Sequence, residues 1–407
     1  AAGFTFIVGA QVVFTVVLST PNGVRIRSPQ VSTQVDPDFL VSGDAWMRGG
    51  LQRVEVLAAK ANDTSLTPLS FIAQRDEVKF RGRALYPLST WTARESLPGV
   101  GTWQIWARAV GQDGTIVETS KRKVTVASGA PSQEFRNWAP EHLIPLVLVF
   151  LTAIGLGLVA RGGTRSAAGA APAALRGLTA GSKSPTERFY HVALGVTIAV
   201  WVNEFSYQVY WFLVDGWSVS TALMLQMCGL SILFFPVAFF SESQRTRQFL
   251  FDILYFWGIG GALQALIAPD IGSNGFPDFR YFSFFVSHGL IITSGIVMAM
   301  AGGVRITIRS LIRAAIVTNI IMIPVYGIDM LIQLIPPYDP GNYFVLGFPP
   351  PTGSIVDLFS DIFGPSPRYV VGLEAMGVAV FLILYAPWPI ARALQGRSLR
   401  RRTRPVA

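Results

Sequence analysis

Residues 190–212 read YHVALGVTIAVWVNEFSYQVYWF, an apolar run that contains one carboxylate, Glu204. A helix needs about 20 apolar residues to cross a bilayer, so the run predicts a transmembrane helix with an ionisable group inside it. Such groups are costly in hydrocarbon and normally turn toward the interior of a bundle, where they pair with other groups or bind a ligand. The stretch therefore predicts both a membrane fold and a polar site within it.

Further apolar runs repeat this pattern along the chain. They are Phe4–Leu18, Leu143–Ala160, Ala222–Phe240, Phe249–Ala268, Tyr281–Gly302, Ala314–Ile335 and Tyr369–Trp388. The sequence is 51% hydrophobic and only 14% charged, which is too apolar for an ordinary soluble enzyme. We predict a multi-pass α-helical membrane protein with about eight transmembrane helices, of which the first, within residues 1–20, is an N-terminal anchor.

Between residues 21 and 138 the pattern changes to short alternating stretches separated by turn residues, which is typical of β-strands. The predicted strands are Leu51–Leu57, Leu69–Ala73, Val78–Leu85, Thr102–Val110 and Ile116–Val126. About seven short strands in ~100 residues indicate an immunoglobulin-like β-sandwich. Trp91, Trp103 and Trp106 are expected in its core, and an exposed aromatic patch that docks a partner is the alternative.

The placement of arginines predicts the orientation in the membrane. Arginines are concentrated in residues 161–188 and 391–407 and in the loops after the fourth and sixth apolar runs. By the positive-inside rule these segments are cytoplasmic, so the sandwich is extracytoplasmic and both chain ends lie inside. The linker 161–188 then joins a transmembrane helix at 139–160 to a six-helix bundle at 189–390. The net charge of +9 is thus a topology signal, and no nucleic-acid partner is expected.

The single cysteine excludes an internal disulfide, even in the predicted exported domain. An exported domain without disulfides fits the cytoplasmic (inner) membrane of a bacterium. We also expect no metal or other cofactor, because the sandwich region has neither His nor Cys. Haem or pigment binding through His142, His191 or His288 is a weaker alternative.

With this orientation, a helix rise of about 1.5 Å per residue places one polar side chain from each of six helices at a similar depth. They are Glu204, Cys228, Gln264, His288, Asp329 and Glu374. Cys228 and His288 suit a nucleophile and its base, because an imidazole can take the thiol proton and a carboxylate can orient the imidazole. The alternative is that these residues, with Gln226, lock the helices together by hydrogen bonds.

The long loop Pro336–Arg368 contains a short amphipathic stretch, Ile355–Phe363. It is long enough to cover the extracytoplasmic mouth of the bundle. It is interpreted either as a lid or as a docking loop for another subunit.

Four motifs connect the second half of the chain to a known family. They are LQMCGLS at 225–231, YFWG at 255–258 with LQAL at 263–266, GFPDFRYF at 275–282, and FVSHGL at 285–290. Through them the region from about Tyr190 to Trp388 resembles the YwaF-like integral membrane proteins, a family that includes a eukaryotic phospholipid acyltransferase. The resemblance implies that Cys228 is an acyl-carrying nucleophile and His288 its partner. The chain departs from the family at Gln226, where His is common, and in its leading helix and sandwich.

The sequence therefore supports two functions. The first is a non-catalytic subunit that scaffolds or stabilises a larger membrane complex of respiratory or photosynthetic type, with other membrane protein subunits and phospholipids as partners. The alternative is a Cys/His-dependent acyltransferase that remodels membrane phospholipids, with Cys228 and His288 as its catalytic residues. In either case we expect a lipid or partner site at Glu204, Gln226, Gln264, Asp329 and Glu374.

Overall fold

A computed structural model describes residues 20–29, 34–61, 67–80, 83–128, 135–161, 187–213, 217–269, 271, 275–336, 338–349 and 355–390. The predicted anchor run Phe4–Leu18, the tail 391–407 and most of the predicted linker lie outside these residues. The described chain forms a two-sheet β region followed by helices.

The β region is built from two sheets. The first has strand order β1-β3-β7-β6, with β1 at Asn22–Ser28, β3 at Asp38–Met47, β6 at Gln74–Phe80 and β7 at Arg83–Ser96. The second has order β2-β10-β8-β4-β5, with β2 at Gln34–Val35, β4 at Leu51–Lys60, β5 at Leu69–Ile72, β8 at Gly101–Gly111 and β10 at Arg122–Val126. A short strand β9, Ile116–Glu118, also pairs with β8. These pairings are antiparallel except that between β2 and β10.

Side chains of both sheets share one hydrophobic core, because successive residues of a strand point to opposite faces. Val41 of β3 and Ile105 of β8, for example, are both fully buried in it. Trp91 and Trp103 lie in this core as predicted, whereas Trp106 is buried outside it, with Lys121 Nζ 4.7 Å from its ring centroid. A two-sheet sandwich is thus present, and its immunoglobulin-like identity stays a prediction.

Two predicted strands are each divided in two. Val78–Leu85 spans the end of β6 at Phe80 and the start of β7 at Arg83, and Ile116–Val126 spans β9 and β10. Between β6 and β7 the chain reverses, and periodicity alone cannot place that reversal. Between β9 and β10 it does not reverse, because both strands run in the same direction along β8, so the predicted strand is only interrupted at residues 119–121.

The helical region follows. The helices are α1 (Pro140–Arg161), α2 (Glu187–Leu213), α3 (Val219–Ala222), α4 (Met227–Phe240), α5 (Gln244–Ile267), α6 (Phe279–Ala301), α7 (Ile308–Ile332), α8 (Ile355–Phe363) and α9 (Val370–Tyr385). The helix α5 contains a π-helical turn, Tyr255–Ile259. Among the described residues, five helices are long and apolar enough to cross a membrane: α1, α5, α6, α7 and the helix from Val370 to Ile390.

The difference from the predicted eight spans has three sources. The first predicted span lies outside the described residues. The helix α2 is 27 residues long, but Asn203, Glu204 and Gln208 lower its hydropathy and it is not among the five. The predicted run Ala222–Phe240 is interrupted because the backbone is extended at Leu223 and Gln226, which leaves α4 with 14 residues.

The sandwich and the bundle contact each other through the segment 338–349, which we call the 338–349 loop. Asp339 in this loop forms an ion pair with Arg25 of β1. The predicted amphipathic stretch Ile355–Phe363 is the helix α8, which follows the loop.

Candidate functional site at the junction of two cavities

Two cavities meet at the start of α4. One, of about 390 Å³, lies among α2, α6 and the turn between α3 and α4, and we call it the polar cavity. The other, of about 460 Å³, lies among α4, α5, α7 and α9, and we call it the apolar cavity. Gln226, Cys228 and His288 line both cavities. These three residues therefore form the boundary between a polar and an apolar compartment.

The polar cavity contains the predicted site residue Glu204. Its Oε1 accepts a hydrogen bond of 2.7 Å from Gln208 Nε2, one helical turn further along α2. Gln208 also donates to the Ala222 carbonyl at 3.0 Å and accepts from Trp217 Nε1 at 2.9 Å. Glu204 is thereby held against the turn that precedes Cys228.

The apolar cavity contains the predicted site residues Gln264 and Glu374. Most of its wall is apolar, including Phe256, Met322 and Phe381. Asn319 Nδ2 donates to Glu374 Oε2 at 3.1 Å, and Gln264 donates to the Gly260 carbonyl of its own helix at 3.0 Å. Both polar groups thus have hydrogen-bond partners in the helices that form the wall.

Cys228 lies in the first turn of α4, where Gln226 is the N-cap residue. The tight turn before it requires Gly229, because a Cβ there would lie 2.9 Å from the backbone of Met224. Two features of this position act in opposite directions on the thiol. The helix N-terminus favours a thiolate, whereas burial in an apolar environment disfavours it.

His288 lies in α6 and faces the same two cavities as Cys228. Its Nδ1 lies 2.8 Å from the Phe284 carbonyl, which can only accept a hydrogen bond, so Nδ1 carries the proton. A neutral ring in this tautomer keeps a lone pair on Nε2. The arrangement leaves His288 able to accept a proton at Nε2.

The structure places Asp329 away from both cavities. Its side chain is fully buried, and Oδ1 accepts a hydrogen bond of 3.0 Å from the backbone N–H of Tyr343 in the 338–349 loop. Of the six residues expected at one depth, five line a cavity and Asp329 instead anchors the loop.

Gln226 connects the boundary to the same loop. Its Nε2 donates to the Asn342 carbonyl at 3.2 Å, and its Oε1 accepts from the Phe344 N–H at 2.9 Å. Gln226 therefore joins the α4 N-terminus to the 338–349 loop.

The other two histidines considered for haem or pigment, His142 and His191, line neither cavity. His142 is fully buried, with Nδ1 accepting from the Trp138 N–H at 3.0 Å and Nε2 donating to the Leu266 carbonyl at 2.7 Å. His191 is exposed on α2. Within the part of the chain that the structure describes, no group of three or more His, Cys, Asp or Glu could hold a metal ion.

Sequence reasoning missed most of the polar cavity wall. The additional polar residues are Asn203, Tyr207, Gln208, Thr221, Arg280, Ser283 and Ser287. Gln208 could have been predicted as a site residue, because a residue four positions after Glu204 lies on the same helix face. No sequence pattern predicts the loop residues Asn342 and Tyr343, because their contacts depend on how a long loop folds back.

Comparisons with known proteins give matches to solved structures and to one family model. CopC from Methylosinus trichosporium OB3b matches with 23% sequence identity and a TM-score of 0.18, over 27% of this chain and 97% of that chain. No curated protein matches the chain. The model of the TMEM164 family matches residues 137–385, which include Cys228, His288 and both cavities. Because this match covers more than half of the sequence, the protein is a membrane protein of the TMEM164 family.

Proposed function

We propose that the protein transfers acyl chains between membrane phospholipids, with Cys228 as the nucleophile and His288 as general base and acid. The observation that carries this proposal is that both side chains lie at the boundary of the same two cavities. An acyl ester has a polar glycerol side and an apolar chain, and its carbonyl lies where the two meet. A thiol at a polar–apolar boundary is suited to that carbonyl.

The first half-reaction forms a thioester. His288 Nε2 takes the Cys228 proton, and the thiolate attacks the ester carbonyl of a donor phospholipid. The tetrahedral intermediate collapses with loss of the glycerol oxygen, which receives the proton from His288. The products are acyl-Cys228 and a lysophospholipid.

The second half-reaction regenerates the thiol. His288 takes the proton of the hydroxyl group of an acceptor lysophospholipid, whose oxygen attacks the thioester carbonyl. The Cys228 sulfur leaves and receives the proton from the imidazolium. The net reaction moves one acyl chain from the donor phospholipid to the acceptor lysophospholipid and needs no metal, oxidant or additional substrate.

The two cavities divide the lipid between them. The apolar cavity, with Phe256, Met322 and Phe381 in its wall, suits the acyl chain. The polar cavity, with Glu204, Gln208 and Arg280, suits the glycerol and headgroup. The arginine distribution supports an extracytoplasmic sandwich, and an exported domain without cysteines supports a bacterial inner membrane.

The test is trapping of the acyl intermediate. Full-length protein in vesicles is given a phospholipid with an isotopically labelled acyl chain and an acceptor lysophospholipid. We expect a labelled thioester on Cys228 by mass spectrometry, and transfer that C228A abolishes. A matched control is Ser231→Ala, because Ser231 lies one turn along α4 and donates to the Met227 carbonyl outside both cavities. Folded protein that forms no thioester and transfers no chain contradicts the proposal.

A scaffolding role in a larger membrane complex is the second candidate, and one feature of the sandwich favours it. The strand β5 is at the end of the second sheet, and its Leu69 and Ile72 are 37% and 75% exposed. An exposed edge strand offers unpaired backbone groups and apolar side chains to a partner. Purification from native membranes under gentle conditions tests it, because stoichiometric partners that Ile72→Lys releases are expected only for a subunit.

A further inference from the structure

We propose that the sandwich domain is a clamp that holds the 338–349 loop over the thiol site, and that Arg25 and Asp339 are positioning residues for Cys228. The consequence for acyl transfer depends on the function proposed above, whereas the clamp itself does not. A continuous set of contacts runs from β1 of the sandwich to the first turn of α4.

The set begins with a buried charge network. Arg25 Nε donates to Asp44 Oδ2 at 2.7 Å, and its Nη2 donates to Asp339 Oδ2. Arg27 Nε donates to the same Asp44 oxygen at 2.5 Å, and its Nη2 lies 3.6 Å from Asp339 Oδ1. Asp44 is fully buried and Arg25 and Asp339 nearly so. Because a buried charge that loses its partner is strongly unfavourable, this network fixes the loop to the sandwich.

Asp339 also bonds to the helical region. Its Oδ2 accepts hydrogen bonds from Ser218 Oγ at 3.3 Å and Ser220 Oγ at 3.4 Å, at the start of α3. One carboxylate thus joins the sandwich, the 338–349 loop and α3.

The next part of the loop is bound to the turn before Cys228. The Tyr343 hydroxyl donates to the Val219 carbonyl and accepts from the Leu223 N–H, both at 2.8 Å. Close approach to Asp329 requires Gly341, since a Cβ there would lie 2.5 Å from the Asp329 carboxylate. With the two Gln226 bonds described above, the loop is held on both sides of the α3–α4 turn.

The loop also forms part of the site. Phe344 and Val345 line the apolar cavity together with Cys228. The family match begins at residue 137, so the sandwich that supplies Arg25 lies before the matched region. The clamp is therefore a contribution of the N-terminal domain to a site that lies within the family region.

The experiment uses Cys228 as its own probe, because it is the only cysteine in the chain. Full-length protein in lipid nanodiscs is treated with a water-soluble maleimide, and the rate of Cys228 modification is measured. We expect D339N and R25Q to raise the rate at least about tenfold, because the freed loop opens more often. The charge-retaining variant D339E should restore most of the original rate.

Asp252→Asn is the matched control. Asp252 is buried and forms an ion pair with Arg313 that links α5 and α7, with no bond to the 338–349 loop. D252N removes a comparable buried charge, so a general loss of stability would raise the labelling rate in it as well. We expect its labelling rate to stay at that of the unmodified protein.

Hydrogen exchange gives a second readout. The amides of Leu223, Tyr343 and Phe344 donate to side chains that bind the 338–349 loop to the helices, so D339N should speed their exchange. If D339N does not fold, R25Q alone tests the contact with the sandwich. The double variant S218A/S220A and the single variant Y343F then test the bonds between the loop and the helical region, with Y255F as control for the latter. Y343F removes both hydroxyl bonds, whereas the Tyr255 hydroxyl bonds to Leu384 and Trp388.

Each outcome decides a separate point. Unchanged labelling and unchanged exchange in folded D339N overturn the clamp. Faster labelling with unchanged acyl transfer overturns the positioning role. Acyl transfer that survives C228A contradicts the proposed function and leaves the clamp to be judged by labelling and exchange, which need no turnover.

Discussion

The sandwich and the bundle both bury ionisable side chains, but they surround them differently. In the sandwich, Asp44 is enclosed by protein and paired with Arg25 and Arg27. In the bundle, Asp329 is also enclosed, whereas Cys228, His288 and Glu204 are half-buried and line cavities large enough to admit a ligand. Burial of an ionisable group therefore does not by itself identify a functional site. The two regions differ because three ionisable side chains of the bundle border a cavity, whereas Asp44 of the sandwich is enclosed by protein atoms.

The sandwich also shows how a partner changes the chemistry of a buried acid. Burial alone would raise the pKa of Asp44, but the guanidinium groups of Arg25 and Arg27 outweigh it and hold the pKa below its usual range. Glu95 is fully buried, and neither carboxyl oxygen has a hydrogen-bond partner in the described structure. Burial raises the pKa of Glu95 to about 8.

The largest expected effect is at the thiol. Cys228→Ala should lower acyl transfer at least about a thousandfold, because no other nucleophile is available to carry the chain in the proposed reaction. Transfer of a labelled chain between vesicle lipids measures it. If C228A and S231A both retain most of the transfer activity, Cys228 is not the nucleophile, and the bundle no longer differs from the sandwich in carrying a reactive group.

The next effect is at the imidazole. His288→Gln should lower transfer by about 10²–10⁴-fold, because Gln cannot exchange a proton with the thiol or the lipid hydroxyl. Single-turnover rates of thioester formation and of its transfer to acceptor should both fall. His191→Gln, at an exposed position on α2, serves as control and should leave both rates unchanged. Equal rates in H288Q and the unmodified protein would assign His288 to packing.

A smaller effect is expected from filling the apolar cavity. Gly377 lines this cavity and has open space where a Cβ would lie, so Gly377→Leu should fill it without a backbone clash. We expect long acyl chains to be transferred about tenfold more slowly relative to short ones. Gly327→Leu is the matched control, because Gly327 also has open space but lines neither cavity. No change in chain preference in G377L would place the acyl chain elsewhere.

The smallest effect concerns the unpaired acid of the sandwich. Because the folded state holds the Glu95 proton more tightly than the unfolded chain, this group stabilises the fold at low pH. That stabilisation decreases as the pH rises from about 4.5 toward 8. Thermal unfolding of the sandwich should therefore show a falling Tm over this range.

Glu95→Gln should remove this decrease and raise the Tm at pH 9, since an amide has no proton to lose. Glu118→Gln, on exposed β9, is the control. A Tm that depends on pH equally in E95Q and the unmodified protein would show that Glu95 is not the responsible group.

Local sequence patterns predicted much of the architecture. Long apolar runs indicated the membrane helices, and alternation with turn residues indicated the β region, because both signals depend only on near neighbours. Patterns failed where a break is set by packing, as at Leu223 and Gln226, which separate α3 from α4 inside one apolar run.

The candidate site likewise has a part that local sequence predicts and a part that it does not. The sequence by itself determined that Glu204, Cys228, Gln264, His288, Asp329 and Glu374 interrupt apolar stretches, because the cost of a polar group in hydrocarbon is a property of each helix. Only the tertiary structure decided which of them meet at a cavity, and that Asp329 anchors a loop instead. It alone decided that Arg25 reaches Asp339, because a contact between residues 314 positions apart depends on the packing of two whole regions.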